Sequence, residues 1–511
     1  MTAEASHAAE GGGTVPPGDP AVRGLRRSGI FALAFGSGFA VLAIEIAGAR
    51  LIAPVFGLSV VPWTAVIGVI LAALAVGSHV GGRLADEGRV PLSRILVFAG
   101  LTGALPIVGA GFPWLARELF GFIPGAVVSA LVLFAPPVVC LGAVVPFLVQ
   151  AETESLSSVG RRAGDIGAAA TAGSILGSFL TGFVLLPAMP LTVLLGVTAG
   201  ALILMAVASA RLLGGPRDDV RMAVAIVGLP ALGALGAGLP SDTLHASQTL
   251  YGAVAVTERP WADGRVVREL WQNGGSSSAE YVESGEPAHV YALTSLAILD
   301  SLGLRPARTL VLGGAALTLP VALVARAPET WVDVVEIDPR VTALASTHFE
   351  YGKRERAAIS VVHEDARVFL RRPGETYDML YLDVFDHLLT VPWTMVTAEA
   401  FADMASRVAP GGVFMANVLS PLEGPGTEFL ARLRATLETA FADVRVYLTG
   451  PSTDPRVTQN LVVVASVESG VLPALPWVDA PVAAQGRPLT DAWAPVEYLQ
   501  GRVFVQGLRW R

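Results

Sequence analysis

Acidic side chains recur in the second half of the chain at points where buried strands are predicted to end. Glu336 follows such a strand, where a carboxylate can bind ribose hydroxyls, and Asp365 follows a later one, where it could accept a hydrogen bond from an adenine amino group. Asp383 and Asp386 are three residues apart and could together bind a cationic amine and take its proton. One such acid alone is more simply explained as a solvated loop residue. Four of them at successive strand ends predict a site for a nucleoside and an amine.

The segment that must position the first of these acids has the pattern of a βαβ unit. It reads TLVLGGAALTLPVALVARAPETWVDVVEIDP, in which an apolar strand turns on Gly313 and Gly314, a helix follows, and a second strand leads to Glu336. Strands and helices continue to alternate up to the strand VFMANVL, which predicts a mostly parallel sheet. Ligands of such sheets bind at the carboxyl ends of the strands, so the glycines and the acids are expected on one rim.

Further elements are predicted on both sides of this unit. The segments LYGAVAVTERP and RVVRELWQNG alternate in polarity and predict a small β-hairpin region before the sheet. Helices are predicted at residues 287–302, 340–348 and 398–408, and a turn at residues 410–412. The fold class expected for the second half is therefore an α/β domain with a Rossmann-like sheet.

The composition divides the chain into two unlike halves. It has 511 residues, of which 53% are hydrophobic and only 15% are charged, which is low for a soluble protein. Residues 1–240 carry 13 Lys and Arg against 12 Asp and Glu, whereas residues 241–511 carry 22 against 31, a net charge of −9. An acidic domain argues against a nucleic-acid partner and suits a cationic substrate. The single cysteine, Cys140, and the scattered histidines predict no disulfide framework and no metal site.

The first half is apolar enough to form a multi-pass α-helical membrane domain. We expect a disordered tail at residues 1–22, six or seven transmembrane helices within residues 23–240, and a soluble domain at residues 241–511. Apolar runs of about 20 residues, the length that crosses a bilayer, occur near residues 30–52, 62–84, 94–113, 122–150, 165–187, 190–211 and 222–239. Pro136 and Pro137 predict a kink in the fourth run.

Arginines flank these runs unevenly, and the bias predicts a cytoplasmic N-terminus in the cell membrane. The run at 222–239 is the weakest, because it is short and rich in Gly and Pro. Seven spans would place the second half outside the cell, and six would leave it in the cytoplasm beside a nucleotide. Hydropathy favours seven and substrate supply favours six, so the side of the second half is open.

Three features of the first half could be more than apolar packing. Glu45 is a carboxylate within the first run, where an acid is either functional or a partner for a polar group on another helix. The stretch Gly77–Arg89 resembles the short cytoplasmic loop between the second and third helices of major facilitator transporters. The stretch Gly160–Gly182 resembles the fifth helix of that superfamily, in which small residues allow close packing. These resemblances imply a major-facilitator-like domain without implying transport.

Residues 250–465 resemble spermidine synthase, a polyamine aminopropyltransferase on the fold of S-adenosylmethionine-dependent methyltransferases. The motifs are LVLGG, VVEIDP, HEDAR, YLDVFDH and APGGVF. With GFAVLAIEIAGARLIAPVFG and LTDAWAPVEYL, the whole chain resembles the membrane-fused spermidine synthase-like proteins of bacteria. In that family an amine of putrescine attacks the carbon next to the sulfonium of decarboxylated S-adenosylmethionine, which gives spermidine and methylthioadenosine.

The resemblance implies a role for each candidate residue and names the expected partners. Gly313, Gly314, Glu336 and Asp365 would bind the nucleotide, Asp383 would be the catalytic base, and Asp386 and Tyr291 would bind the amine substrate. Decarboxylated S-adenosylmethionine, or S-adenosylmethionine, would be the co-substrate, with no prosthetic group and no metal. The other expected partners are a small-molecule amine and the lipid bilayer, and a homodimer is an open alternative to a monomer.

The chain departs from the family pattern near the donor. Ala316 replaces an aspartate that helps to hold the aminopropyl ammonium, Ala292 follows Tyr291 in place of His or Gln, and Ser277 replaces a glutamine. Losing a buried carboxylate opposite an ammonium costs about 1.5–3 kcal/mol, which is tenfold or more in affinity. Three functions therefore stay open: an aminopropyltransferase-like enzyme, a transporter-like protein whose catalytically degenerate domain senses a nucleoside or polyamine, and a methyltransferase.

Overall fold

The structure is a computed structural model that describes residues 20–57, 60–153, 159–213, 241–261, 263–353, 358–385, 390–424, 426–450, 454–472, 480 and 482–500. Three predictions lie outside these residues: most of the disordered tail, the apolar run at 222–239, and the amine-binding role of Asp386.

The first half is helical throughout its described length, apart from short connections. Its helices are α1 (Pro20–Phe56), α2 (Val60–Glu87), α3 (Leu92–Gly103), α4 (Leu105–Val108), α5 (Phe112–Phe120), α6 (Phe122–Leu133), α7 (Ala135–Gly142), α8 (Val144–Glu152), α9 (Val159–Leu180), α10 (Leu186–Ala188) and α11 (Leu191–Leu213). A π-helical turn, Thr181–Leu185, joins α9 to α10. Helix α1 packs against α2, α9 and α11, so it lies at the centre of the bundle. The predicted tail at residues 1–22 is too long, because Pro20 already occupies the first position of α1, where its fixed φ suits a helix.

Five described helical segments are long and apolar enough to cross a membrane: Gly24–Phe56, Val60–Glu87, Ala135–Glu152, Val159–Ala188 and Leu191–Leu213. A sixth would need the helices between Leu92 and Phe120, which bend by 74°. The run predicted at 94–113 therefore belongs to a bent helix pair and not to one continuous helix. Prolines at the starts of α4 and α5 explain the breaks, because proline removes a helical hydrogen bond and clashes with the preceding turn. The kink predicted at Pro136 is confirmed as a break between α6 and α7.

Small residues on α1 and α9 allow the closest helix contact in the bundle. A β-carbon on Gly173 would lie only 1.9 Å from the carbonyl oxygen of Phe35, so no larger residue fits there. The close packing predicted for Gly160–Gly182 is confirmed at this contact. Large apolar side chains point away from the bundle instead; Leu71, Phe183 and Leu204 are 60%, 69% and 69% exposed.

The interpretation of Gly77–Arg89 as a loop is wrong. Helix α2 continues to Glu87, and only the few residues from Gly88 to Pro91 connect it to α3. Gly77 and Gly81 serve helix packing, since a β-carbon on them would lie 2.1 Å from the carbonyl oxygen of Val139 and 2.4 Å from the β-carbon of Ala143. Glu45 is half-buried on α1, and no hydrogen bond or ion pair joins it to another described residue.

The second half begins with an antiparallel sheet of four strands in sequential order. These are β1 (Thr243–Gln248), β2 (Ala253–Pro260), β3 (Val266–Gln272) and β4 (Gly275–Tyr281). The predicted hairpin is confirmed as β2 and β3, which pair from Val254 with Gln272 to Pro260 with Val266. One face of this sheet packs on the α/β domain through Val256 and Leu270.

The main sheet has seven strands, and its strands are mostly parallel. They are β5 (Arg308–Leu312), β6 (Trp331–Val335), β7 (Ile359–Val362), β8 (Tyr377–Leu382), β9 (Val408–Ser420), β10 (Asp443–Leu448) and β11 (Gln459–Ser466). Their spatial order is β10-β11-β9-β8-β5-β6-β7, and only β11 runs against its neighbours. This is the methyltransferase-like sheet that the sequence implied. Its reversal of strand order beside β5 places the ends of β5, β6 and β8 at one crevice.

The helices of this domain are α12 (Val290–Ser301), α13 (Thr318–Arg326), α14 (Pro339–His348), α15 (Ala366–Leu370), α16 (Ala398–Ala405) and α17 (Thr427–Leu437). Several predicted boundaries differ by up to three residues; α12, for example, begins at Val290 instead of residue 287. Helix α16 ends at Ala405 instead of residue 408, because β9 already begins at Val408. The predicted turn at residues 410–412 is a bulge within β9: Tyr377 pairs with Val408, but Met379 pairs with Val413.

Candidate active site

The turn after β5 brings two strand ends into contact. Gly313 has a φ of +92°, which side-chain-bearing residues rarely adopt. A β-carbon at this position would lie 2.3 Å from the carbonyl oxygen of Asp383, so only glycine permits the approach. The predicted nucleotide turn and the predicted catalytic base are therefore neighbours.

The rest of this loop is held in an unusual backbone conformation by Glu336. Ala315 and Leu317 both have positive φ values, +44° and +61°, which cost non-glycine residues about 1–2 kcal/mol each. The N–H groups of Gly314 and Ala315 both donate to Oε2 of Glu336, at 3.0 Å each. The carboxylate at the end of β6 thus fixes the loop at the end of β5.

Glu336 is almost fully buried and has a third backbone partner. Its Oε1 accepts a hydrogen bond from the N–H of Asp338 at 3.0 Å. Burial raises the pKa of Glu336, and the three backbone hydrogen bonds oppose that rise. A carboxylate has about four acceptor positions, so one remains in addition to these three bonds. The residue predicted to bind ribose therefore lies beside the glycine turn and already organises it.

Asp383 lies at the end of β8 and is held from both sides. The hydroxyl of Tyr291 donates to its Oδ2 at 2.9 Å, and Nδ2 of Asn417 donates to its Oδ1 at 3.0 Å. Burial raises the pKa of Asp383 to about 6, although both hydrogen bonds act in the opposite direction. A carboxylate that titrates near neutral pH, in a fixed orientation, is suited to accept a proton from a reacting group.

Asn417 belongs to this site although the sequence did not single it out. It lies in β9, is 4% exposed, and its Oδ1 accepts a hydrogen bond from Nδ2 of Asn460 at 2.9 Å. The chain Asn460–Asn417–Asp383 fixes the orientation of the amide, so its donor side faces the carboxylate. A signal was available: an amide side chain in the otherwise apolar strand VFMANVL needs a buried polar partner.

A second polar chain reaches the other side of Tyr291. The ring of His289 lies 5.6 Å from that of Tyr291, and His289 Nε2 lies 3.1 Å from the hydroxyl of Ser276. Ser276 in turn donates to Glu269 at 2.9 Å. Burial lowers the pKa of His289 to about 4, so the imidazole is neutral at physiological pH. Burial, and then the charge of Asp383, raise the pKa of Tyr291 well above its ordinary value, so its hydroxyl stays a donor.

The residues at the predicted donor end have apolar surroundings. Ala316 is 1% exposed and packs in a cluster with Val256, Leu270 and Phe349. Its N–H donates to the hydroxyl of Ser278 at 3.1 Å. The side chain that stands where the family has an aspartate therefore points into the contact between the small sheet and the main domain.

The remaining predicted residues are more peripheral. Asp365 is exposed and caps α15, since it accepts a hydrogen bond from the N–H of Val368 at 3.0 Å. Ser277, which the resemblance matched to a glutamine, donates to the carbonyl oxygen of Leu270 at 3.1 Å. The structure thus brings Tyr291, Gly313 and Asp383 into direct contact, and Glu336 adjoins them through the loop.

Comparison with known proteins finds polyamine aminopropyltransferases among the relatives, and no protein-family model matches the chain. A polyamine aminopropyltransferase of Vibrio vulnificus is 26% identical over 185 residues, which are 35% of this chain and 60% of that protein. Polyamine aminopropyltransferase 1 of Streptomyces coelicolor is 25% identical over 462 residues, 83% of this chain and 81% of that protein. The chain is homologous to polyamine aminopropyltransferases over part of its length.

A solved structure, a probable spermidine synthase from Corynebacterium glutamicum, is 20% identical and covers 45% of this chain and 81% of its own, with a TM-score of 0.38. Of the Vibrio protein the chain matches less than two thirds. The Streptomyces protein differs in that its similarity extends over the helical half as well as the α/β domain.

Proposed function

We propose that the protein is a membrane-bound polyamine aminopropyltransferase-like enzyme. It would transfer an aminopropyl group from decarboxylated S-adenosylmethionine to an amine such as putrescine, giving spermidine and methylthioadenosine. The observation that carries this proposal is Asp383, whose half-buried carboxylate has a pKa of about 6 and whose backbone carbonyl touches the nucleotide turn. The names of the relatives from Vibrio and Streptomyces support the same activity.

In this proposal Asp383 is the general base. The nitrogen lone pair of the amine forms a bond to the carbon beside the sulfonium, the carbon–sulfur bond breaks, and its electron pair stays on sulfur. The surplus proton of the amine passes to Asp383, which Tyr291 and Asn417 hold in place. Asp386 would hold the far end of a diamine. The acidic surface of residues 241–511 would favour the approach of cationic amines.

The nucleoside would lie across the ends of β5, β6 and β7. The remaining acceptor position of Glu336 would take a ribose hydroxyl, and Asp365 would accept a hydrogen bond from the adenine amino group. Gly313 and Gly314 would let the loop backbone lie close to the ligand. Decarboxylated S-adenosylmethionine would be a co-substrate that leaves after each turnover, so no prosthetic group is required.

We also propose that the helical half, within residues 23–240, crosses the membrane with its N-terminus in the cytoplasm, and that residues 241–511 form the catalytic domain. Five or six helices of sufficient length and outward-facing apolar side chains such as Leu71 and Phe183 support this arrangement. The close contact of α1 with Gly173 agrees with a major-facilitator-like helix packing.

A second candidate function is a domain that binds a nucleoside or polyamine without turnover. Ala316 favours it, because the side chain that would face the donor's ammonium is apolar and buried. A methyltransferase is the third candidate, and Asp383 argues for amine chemistry instead.

Purified full-length protein incubated with labelled decarboxylated S-adenosylmethionine and a panel of amines separates these functions. Transfer of label to an amine, abolished in Asp383→Asn, would support the enzyme. Saturable binding of the donor with no product would select the sensor. Transfer of a methyl group from S-adenosylmethionine would select the methyltransferase. Glu329→Gln, which changes an exposed acid just before β6, at the opposite end of that strand from Glu336, is the matched control.

A further inference from the structure

The α/β half contacts the helical bundle at one end only of α1, among the described residues. The guanidinium of Arg50 donates to the carbonyl oxygen of Leu250. Pro54 lies against Gly274. A β-carbon added to Gly274 would be 3.0 Å from the β-carbon of Pro54. We call the bundle surface around these two residues of α1 the docking end.

A third contact ties the substrate rim to the same end. Arg340, which follows Glu336 at the start of α14, donates to the carbonyl oxygens of Pro187 at 3.1 Å and Gln248 at 2.9 Å. Pro187 lies in α10, the short helix that continues α9 after the π-helical turn. The loop that carries the ribose-binding acid is therefore anchored on the bundle.

Helix α11, the last described helix before the α/β half, ends at the opposite end of the bundle. A β-carbon on Gly29, near the start of α1, would lie 2.5 Å from the side chain of Leu212. The C-terminal end of α8 and the start of α9 lie at this same end of the bundle. Arg26 donates to the carbonyl oxygen of Ala151 in α8, and Arg27 pairs with Asp165 in α9 at 3.7 Å. We call this the arginine end.

The two ends are separated by about the thickness of a membrane. Gly29 and Pro54 are 25 positions apart on one helix, which corresponds to about 37 Å at 1.5 Å per residue. The hydrocarbon core of a bilayer is about 30 Å thick. The chain must therefore pass from the arginine end at Leu213 to the docking end before β1 begins at Thr243. The apolar sequence at 222–239 belongs to this connection.

The charges of the two ends differ in a way that assigns them to the two sides of a membrane. Helix α2 starts beside the end of α1 and runs back, so its last residues also lie at the arginine end. The arginines placed there are Arg26, Arg27, Arg83, Arg89, Arg94, Arg161, Arg162 and Arg211. The docking end has Arg50 and Arg117, whose guanidinium groups donate to backbone carbonyl oxygens. Short loops rich in Lys and Arg stay in the cytoplasm.

We infer that the α/β domain, with its site, lies on the non-cytoplasmic side of the membrane. This inference rests on the proposed membrane location of the helical half, in which Leu213 and Thr243 lie on opposite sides of the bilayer. A sulfonium donor made by a cytoplasmic decarboxylation would then need a transport step before it reaches Asp383. Amines outside the cell would meet the site directly.

Labelling of single cysteines in the full-length protein tests the inference. In a Cys140→Ala background, Glu283→Cys reports on an exposed turn of the α/β half, and Asp86→Cys reports on the arginine end. Ser284→Cys and Glu87→Cys are second positions in the same two turns, in case one variant does not fold. Spheroplasts are treated with a membrane-impermeant maleimide before and after permeabilisation, and protein denatured in detergent gives full labelling.

We expect residue 283 to be labelled in intact spheroplasts and residue 86 only after permeabilisation, with at least a tenfold difference between them. The reverse pattern, or the same accessibility for both positions, would overturn the inference. Release of the protein from membranes by carbonate would instead refute the proposed membrane location. Turnover is measured separately on detergent-purified protein, so failure of the proposed chemistry cannot be mistaken for failure of the topology.

Discussion

The two ends of the candidate site are built from different kinds of contact. At the amine end, Asp383 is held by Tyr291 and Asn417, and a second amide supports Asn417. At the donor end, Ala316 is packed among Val256 and other apolar side chains. A site that keeps an oriented, titratable carboxylate at one end and an apolar side chain at the other retains the means to move a proton. In the proposed function, it would lack one means of recognising a charged donor.

The loop between the two ends shows what holds such a site together. Ala315 and Leu317, which follow the glycines, have a left-handed backbone conformation. The carboxylate of Glu336 accepts hydrogen bonds from the N–H groups of Gly314 and Ala315 in this loop. Backbone strain of this kind persists only where the surroundings over-determine it, and it clusters at functional sites. In the proposed function, nucleoside binding would therefore depend on Glu336 and not on the residue at position 316.

The largest expected effect is at the amine end. Asp383→Asn should lower kcat about 10²–10⁴-fold, because it removes the proton acceptor. The affinity for methylthioadenosine should stay within about twofold, since the amide keeps hydrogen-bonding partners at that position. Single-turnover rates and calorimetry measure the two quantities. A variant with unchanged kcat would show that the carboxylate is structural.

The next effect is expected in the loop. Glu336→Ala should weaken methylthioadenosine binding more than tenfold. It should also destabilise the fold, because it leaves three backbone N–H groups without an acceptor, and each that stays buried costs about 1–3 kcal/mol of folding free energy. Calorimetry and thermal unfolding measure both losses. Glu336→Gln is the control, because its amide oxygen can still accept. If Glu336→Ala binds as tightly as the unchanged protein, the nucleoside does not use this loop.

The pH dependence tests the pKa of Asp383 directly. Because its pKa is raised to about 6 and the base must be deprotonated, kcat/KM should fall by a further tenfold per unit below that pH. Asn417 donates to the charged form and so lowers the pKa, which means that Asn417→Ala should move the acid limb to higher pH. A limb that does not move would contradict the assignment of this limb to Asp383.

The smallest effect is expected at the donor end. Methylthioadenosine lacks the ammonium of decarboxylated S-adenosylmethionine, so the two ligands should differ less than tenfold in affinity when no carboxylate faces that ammonium. Ala316→Asp should lower the melting temperature, because it places a carboxylate in an apolar cluster. Ala316→Val is the control for added volume. A large preference for the charged donor in the unchanged protein would show that another group replaces the missing acid.

Local sequence patterns were sufficient for most elements of the second half. The alternation of β2 and β3, the βαβ unit around Gly313 and the order of strands and helices follow from hydrophobic period and turn residues, which act over a few positions. The same patterns placed Glu336 and Asp383 at strand ends. Predictions failed where the boundary depends on neighbours: Gly77–Arg89 has loop-like glycines, but Gly77 lies in α2, where α7 packs closely against it.

The tertiary structure alone decided what surrounds each acid and how the two halves meet. Asn417 is 34 positions from Asp383, and Asn460 is 43 positions from Asn417. His289 is close to Tyr291 in sequence, but its partner Ser276 is 13 positions away from it. No local pattern therefore shows that these residues together form the polar surroundings of the site. The sequence shows that Ala316 replaces an acid, but only packing shows that its side chain is buried in apolar contacts. Arg50 and Arg340 hold the two halves together through contacts between distant positions, so the end of the bundle that faces the site could not be determined from the sequence. Amino-acid composition and hydrophobic period determine whether a segment forms a helix or a strand, because both act between residues that are close along the chain. The contacts between elements depend on shape and polarity brought together from separate segments, and these exist only in the folded protein.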